Sequence, residues 1–444
     1  MFGFKFLGNT HIPHHKNTAG MKPVKMTPPK EVLIPTSQNI GAPATPIVKQ
    51  GDEVKVGQII AEAAGYVSAP IYASVSGKVA KIEKYTLSGG NDVPAIRIES
   101  DGLMTVSENI TPPDVHDLDT LIEAVKNAGI VGLGGAGFPT YVKLEGYKKG
   151  GIDTVVVNGA ECEPYITSDT RTMLDRIDDV KYGIDLLEKY MPNVEKFIFG
   201  IEDNKPECVD LMKNAFSGNA KVSIAPLPSL YPQGAEKVLI YNTTKKIVPE
   251  GKLPQDVGVM VINVTTLANI ADYVKTGMPL VEKCITVDGS AVKDPKNVIV
   301  PIGASIGDVL SFVGVDADNV GKVLFGGPMM GVPAYSMSNA VEKRTNALTA
   351  FTPKDAEERE STECIHCGKC VEACPMNLNP SLFSKAVKLG TDEKMEKLDQ
   401  NGVALCMECG CCSYVCPAKR PLVQNNRMLK SALREYKAHK STLK

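Results

Sequence analysis

Two runs of cysteine constrain this chain more than any other feature. They are Cys364-x-x-Cys367-x-x-Cys370-x-x-x-Cys374-Pro375 and Cys406-x-x-Cys409-x-x-Cys412-x-x-x-Cys416-Pro417. Nine of the 12 cysteines fall between Cys364 and Cys416; only Cys162, Cys208 and Cys284 lie elsewhere. The N-terminus has no apolar core of signal-peptide length and no small-residue cleavage site. Thiols bunched this way in a long chain point to metal in a reducing compartment, not to a disulfide framework. The three outlying cysteines are expected to be buried free thiols.

The spacing is that of bacterial ferredoxins with two [4Fe–4S] clusters, written twice. Loop reach is the physical reason. Three thiolates close together in sequence wrap three irons of one cube, and a turn ending at Pro carries the fourth Cys to the other cube. Cluster one is therefore expected on Cys364, Cys367, Cys370 and Cys416, and cluster two on Cys406, Cys409, Cys412 and Cys374. Structural zinc takes four ligands, usually as two pairs, and fits two runs of four poorly. Cys411 is one thiol too many, and a slipped register would put it in place of Cys412. His366 and Lys369 inside the first loop either tune the potential or are solvated loop residues.

A net charge of −2, no Trp and 6% aromatics argue against a nucleic-acid partner. The best apolar stretch, 298–315, is interrupted by Pro301, Ser305 and Asp308, short of the roughly 18 residues a membrane span needs. The protein is expected on the cytoplasmic side, at most resting on a membrane.

Length suggests about three domains. Residues 1–30 carry five Lys and three His but no acidic residue. His11, His14 and His15 suggest metal, and the plainer reading is a basic, partly extended arm. Residues 31–105 read as short strands with Gly and Pro turns and resemble the barrel-sandwich fold of biotinyl and lipoyl carriers. The central hairpin offers Ala63-Ala64-Gly65 in place of their Lys, so no swinging arm is expected.

From 110 to 280 helices and strands alternate, which means an α/β domain. Asp117 caps a helix with Leu118, Leu121, Ile122 and Val125 on one face, ended by Gly129. Strands are expected at 154–157, 197–201, 222–225 and 257–264, and helices at 169–190 and 204–216, the latter capped by Asn204 with Pro206 behind it. A small β-rich unit covers 281–335. A charged linker, 336–360, leads to the cysteine region, 361–420, and a basic tail, 421–444.

Gly132-Leu-Gly134-Gly135-Ala-Gly137-Phe-Pro139 contains Gly-x-Gly-x-x-Gly, but a helix precedes it where a dinucleotide fingerprint needs a strand. Such a run lets backbone N–H groups approach a phosphate at a helix N-terminus, with Lys143 adding charge; a structural turn is the plainer alternative. Asn158-Gly-Ala-Glu161-Cys-Glu163-Pro164 follows the next strand, where carboxylates could accept from ribose hydroxyls or a flavin ring, or simply form a polar loop.

Together these segments resemble the NADH-oxidising flavoprotein subunit of respiratory complex I. The run through Lys143 is similar to that family's flavin-phosphate loop, and Asn158, Glu161, Glu163 and Pro164 to its second flavin and NADH segment. Gly234-Ala-Glu236 resembles its Gly-Glu-Glu, and Asn263-Val-Thr-Thr266-Leu-Ala-Asn269 its Asn-Val-Glu-Thr stretch. The 281–335 unit resembles its β-grasp ligand-binding module. The chain departs from the pattern at Leu133, Ala160, Ala235 and Ile262, and its cluster-bearing end differs.

The order of barrel-sandwich, flavin/NADH domain, β-grasp module and two-cluster ferredoxin domain is similar to the C subunits of Rnf complexes, ion-translocating ferredoxin:NAD+ oxidoreductases. That resemblance implies FMN held by Gly132, Gly134, Gly135, Gly137, Lys143, Asn158, Asn263 and Thr266. It implies hydride exchange with NAD(H) beside catalytic Glu161, Glu163 and Glu236. The 158–164 loop has nothing basic to hold a 2′-phosphate, and Glu161 and Glu163 would repel one, so NAD(H) is expected over NADP(H). The implied partners are the other subunits of a membrane-bound complex and, indirectly, ferredoxin. Two alternatives stand beside it: a soluble flavin/iron–sulfur cobalamin reductase, in which the flavin domain comes first, and a non-catalytic iron–sulfur subunit without its own flavin. One or both basic ends are expected to dock the subunit peripherally, with Leu429, Leu433 and Tyr436 as an apolar stripe on a short C-terminal helix; a solvated tail is the plainer alternative.

Overall fold

The computed structural model describes residues 10–386 and 392–442, so the first nine residues of the arm and the last two of the tail lie outside it. The barrel-sandwich unit pairs a four-stranded sheet (Glu31–Pro35, Asp92–Ser100, Gly77–Thr86, Glu53–Val54) with a three-stranded one (Thr45–Pro46, Ile59–Glu62, Ile71–Tyr72). Strand alternation decides the faces. Val32, Ile34, Ile96 and Ile98 point into the core, while Arg97 lies outward, pairing with Glu31 and Glu83.

Helix Leu118–Asn127 opens the α/β unit, with Asp117 and Thr120 forming a reciprocal capping box. Four parallel strands follow, in the spatial order Val222–Leu227, Lys196–Glu202, Thr154–Asn158, Val259–Asn263. Chain order reverses direction between Thr154–Asn158 and Val259–Asn263. The carboxyl ends of that pair are where open α/β sheets bind ligands.

Several expectations need correction here. The last strand begins at Val259, because residues 254–257 form a 3-10 helix closed by Gly258 at φ 74°. The long helix breaks at Arg176 (φ −124°, ψ 33°), whose guanidinium reaches Asp179 and the Ala268 carbonyl. Lys205, not Asn204, precedes helix Pro206–Ala215; the Asn204 amide turns toward His14 and Glu202 instead.

The next sheet has six strands, in the order Val24–Lys25, Lys296–Pro301, Glu282–Asp288, Ala347–Phe351, Lys322–Phe325, Val332–Pro333. It corrects two boundaries. Residues 336–360 are not a linker: Ala347–Phe351 is a central strand, parallel to Thr286–Asp288 and antiparallel to Lys322–Phe325. The polar residues before it are buried with partners, Lys343 donating to the carbonyls of Pro70 and Gly129 at 2.6 and 2.7 Å. Nor is 1–30 a free arm, since Val24–Lys25 adds the edge strand beside Val298–Ile299.

In the ferredoxin unit, helix Leu422–Thr442 replaces the expected tail. Leu429 and Leu433 are buried against Phe383, Leu398 and Val403, with Tyr436 packed beside them. The proposed docking stripe thus closes the protein's own core. Several of the helix's basic groups are paired internally: Arg427 and Lys430 with Glu408, Lys437 with Asp399, Lys440 with Glu396.

Candidate functional site

Local turns bring each cysteine run back on itself, and the short helices Lys369–Glu372 and Cys411–Tyr414 aim the fourth Cys away from its own loop. Cys374, Cys406, Cys409 and Cys412 line one cavity, walled by Leu378 and Val423. Cys370 has Cys416 and Cys364 as neighbours. Cys374 therefore stands with the first three cysteines of the second run, and Cys416 with Cys364 and Cys370 of the first. Cys412 neighbours Cys409, Cys406 and Cys374. Cys411 also reaches the cavity wall, but it is buried in a cluster with Ile12 and Tyr231. Two sulfurs receive hydrogen bonds, Cys374 from the Leu378 amide and Cys406 from Asn426, both at 3.4 Å. Among the described residues no three His, Cys, Asp or Glu side chains converge to hold a single ion. The thiols instead surround a volume, which suits a cluster. The three histidines of the arm diverge: His11 is exposed, His14 faces Asn204, and His15 stacks on Tyr165 at 4.8 Å.

The glycine segment is a closed loop at the sheet's reversal point. Val131 bridges Pro139, Gly132 donates to Phe138, and Gly137 donates back to Gly132. Its tip, Gly134, Gly135 and Ala136, is exposed. The amides of that tip make no hydrogen bond among the described residues, as an anion cradle requires. A Cβ on Gly134 would stand 3.2 Å from the Asn263 amide nitrogen, so only glycine lets the loop lie this close to the strand end. The surroundings fix the loop. The Leu133 amide donates to Thr266 Oγ1 (2.9 Å), Lys283 Nζ donates to the Leu133 carbonyl (2.7 Å), and Ile40 of the barrel-sandwich donates to Gly137 (2.9 Å). Burial pushes the Lys283 ammonium down to about 7, against the pull of nearby Asp169. Leu133 and Ala160, two of the departures from the complex I pattern, are both buried, so they serve the core and take no contact from the crevice.

Asn158, Asn263 and Thr266 come together with the loop, as scaffold. Asn158 donates to the Gly234 carbonyl (2.9 Å) and accepts from the Ala160 amide. Asn263 caps helix Val264–Thr276 through the Thr266 amide and donates to Asp169 (2.7 Å). Lys143 donates to the Val261 carbonyl (2.9 Å) and lies 3.4 Å from Glu236, which opens helix Glu236–Thr244 and is half exposed.

The other two carboxylates are engaged by protein. Glu161, at φ 49°, accepts from the amides of Asp169 and Thr170 and from Thr170 Oγ1, holding the start of helix Ser168–Asp175. Burial raises its pKa against the pull of Lys16. Glu163 accepts from the amides of Met330 (2.6 Å) and Met329 (3.2 Å), and burial lifts it to about 6. Both were expected beside the nucleotide; in the structure both carboxylates accept from backbone amides.

Sequence reasoning missed Lys16 and Tyr231. Lys16 Nζ donates to the carbonyls of Glu161, Glu163 and Ile166 at 2.6–2.8 Å, pinning the whole loop from the arm. Tyr231 is buried in one apolar cluster with Ile12, Cys162, Cys409 and Cys411. The absence of acidic residues near Lys16 was the one available signal for the first; nothing local marks the second.

A phosphate-type loop at an α/β switch point, in a chain that also carries paired four-cysteine runs, defines a flavin and iron–sulfur electron-transfer protein. Residues 4–103 match the RnfC barrel sandwich hybrid domain, 125–272 the Nuo51 FMN-binding domain, and 360–420 a 4Fe-4S dicluster domain. The chain is 43% identical over 430 residues to the C subunit of the proton-translocating ferredoxin:NAD(+) oxidoreductase complex of Clostridium ljungdahlii, covering 96% of this chain and 93% of that one. It is 42% identical over 379 residues to the C subunit of the Na(+)-translocating complex of Acetobacterium woodii, covering 84% and 85%. The chain belongs to the family of these C subunits. A solved NAD+-reducing [NiFe]-hydrogenase in the air-oxidized state shares the fold, with a TM-score of 0.51 at 20% identity; the match covers 72% of this chain and 64% of that one.

Proposed function

We propose that this chain is the NAD(H)-reactive electron-transfer subunit of an ion-translocating ferredoxin:NAD+ oxidoreductase complex. One observation carries the reading. Cys162 of the strand-end loop, Tyr231, and Cys409 and Cys411 of the second cysteine run share a single packed cluster, so the crevice and one thiol site are in direct contact.

The residues present fit both groups. The Gly134–Ala136 amides and Lys143 would hold the FMN phosphate. Cys374, Cys406, Cys409 and Cys412 would hold the cluster nearer the crevice, and Cys364, Cys367, Cys370 and Cys416 the farther one. When bound, flavin supplies the conversion between two-electron hydride chemistry and the single electrons that each cluster carries. Asn158, Asn263, Thr266 and Lys283 keep the cradle in place without touching nucleotide. Glu236, exposed beside Lys143, is the carboxylate left to meet a ribose hydroxyl, and it disfavours a 2′-phosphate, hence NAD(H) over NADP(H). Lys16 and Lys205 do not reverse this, because their ammonium groups are bonded to backbone carbonyls of the 160–166 loop.

Among the described residues no helix is long and apolar enough to cross a membrane. Attachment at the cytoplasmic face then falls to folded surface, and the exposed loop around Ile365 and Cys367 is the side that exchanges electrons with a membrane partner. The test is anaerobic purification of the full chain. A flavin spectrum, about eight irons and about eight sulfides per chain, and bleaching by NADH are expected. A chain that retains its clusters but neither binds FMN nor reacts with NADH would overturn the reading.

A further inference from the structure

The loop Gly326-Gly327-Pro328-Met329-Met330-Gly331 lies between two parts that the function must keep in register. On one face the Glu163 carboxylate takes the amides of Met330 at 2.6 Å and Met329 at 3.2 Å, with the Tyr231 hydroxyl at 3.4 Å. The fit leaves no slack: a Cβ on Gly327 would stand 2.3 Å from Glu163 Oε2. On the other face the Met329 carbonyl lies 2.6 Å from where a Cβ on Gly410 would stand, between Cys409 and Cys411. Arg427, ion-paired to Glu408 of the same turn, reaches toward the Met330 carbonyl at 3.5 Å. Met329 also packs into the cluster that holds Tyr231, Cys409 and Cys411. One carboxylate from the strand-end loop thus grips a β-grasp loop, whose far side carries the cysteine turn.

We propose that Glu163 is a positioning residue, whose carboxylate holds the 326–331 loop against the Cys409–Cys412 turn and so sets the spacing between the flavin crevice and the nearer thiol site. This rests on the function proposed above. The step it serves moves one electron from reduced flavin to the nearer cluster; no bond forms or breaks at Glu163, and no proton leaves it. That carboxylate is bonded to two backbone amides of the 326–331 loop. Its loss should therefore appear at the domain contact and not in nucleotide affinity.

The test compares full-length, cofactor-loaded wild type with Glu163→Ala, Glu163→Gln and Gly327→Ala. Flavin, iron and sulfide contents and NADH oxidation by an artificial acceptor in the wild type report on the underlying function. The variants report on the pin. Glu163→Ala should keep its cofactors and its KM for NADH. Cluster bleaching after rapid mixing with NADH should slow severalfold, and the Met329 and Met330 amides should exchange deuterium faster. Glu163→Gln, whose amide oxygen still accepts one bond, should fall between. Gly327→Ala, which pushes the same contact from the other side, should reproduce the slow bleaching even if Glu163→Ala folds poorly. A raised KM with cluster bleaching at the wild-type rate would make Glu163 a nucleotide contact and overturn the proposal. Unchanged exchange at Met329 and Met330 would do the same.

Discussion

The two cysteine runs are written with the same spacing, yet the fold treats them differently. Cys367 of the first run is exposed, and Cys364 and Cys370 are half-buried; Cys409, Cys411 and Cys412 of the second are buried. The first loop projects at the edge of the molecule. The second is sewn to the crevice by Ile12, Tyr231 and Met329. Because the fourth cysteines cross, each run also reaches into the other's surroundings, Cys374 half-buried and Cys416 buried. A repeated motif therefore does not imply repeated roles. Ligand spacing sets which cluster forms, while packing sets which cluster faces the flavin and which faces a partner, and burial with hydrogen bonds to sulfur sets the potential.

The largest effect expected from this difference is compositional. Cys412→Ser should remove about four of about eight irons, whereas Cys411→Ser should keep them all, since Cys411 packs with Ile12 and Tyr231. Iron and sulfide analysis decides between them, and the reverse result would mean that the register has slipped. Next, the exposed site should lose iron to a chelator about tenfold faster than the buried one, the equivalent of ~1.4 kcal/mol of barrier; equal rates would erase the distinction drawn here. Lys143→Ala should weaken FMN retention roughly tenfold through loss of a charge-assisted contact, without changing iron content. Equilibrium dialysis measures it, and unchanged FMN binding would leave the cradle to backbone amides alone.

The smallest effect concerns the body to which the second run is attached. Lys343 joins the barrel-sandwich at Pro70 to the α/β unit at Gly129, and burial pushes its ammonium from 10.5 down to about 7. A lysine whose folded pKa is depressed costs stability as pH falls, because the unfolded chain takes up a proton first. Tm should therefore rise with pH between about 7 and about 10, by a few degrees, and Lys343→Met should flatten that slope. A slope the variant leaves intact would assign the titration elsewhere.

Much of this was legible in the sequence where the physics is local. Cysteine loop reach, the Asp117 cap and the glycine run before Pro139 are short-range signals, and the structure keeps each element. Long-range pairing hid the rest. Ala347–Phe351 sits among charged residues and reads as linker until Lys343 is seen capping two carbonyls from other units. The basic C-terminal helix reads as solvated until Glu396, Asp399 and Glu408 appear opposite it. Glu161 and Glu163 sit side by side in a motif that resembles a nucleotide site, but one holds a helix start and the other a β-grasp loop. No spacing within the motif encodes partners that lie 166 and 167 residues away.

The central claim is that electrons cross between the flavin crevice and the cluster on Cys374, Cys406, Cys409 and Cys412 before they reach the exposed one. Rapid freeze-quench EPR after mixing with NADH tests it directly, in Cys374→Ser and Cys416→Ser full-length protein. The buried cluster should still be reduced at the wild-type rate in Cys416→Ser, while the exposed cluster should stay oxidised over the same interval in Cys374→Ser. Wild-type reduction of the exposed cluster in Cys374→Ser would contradict the order of transfer.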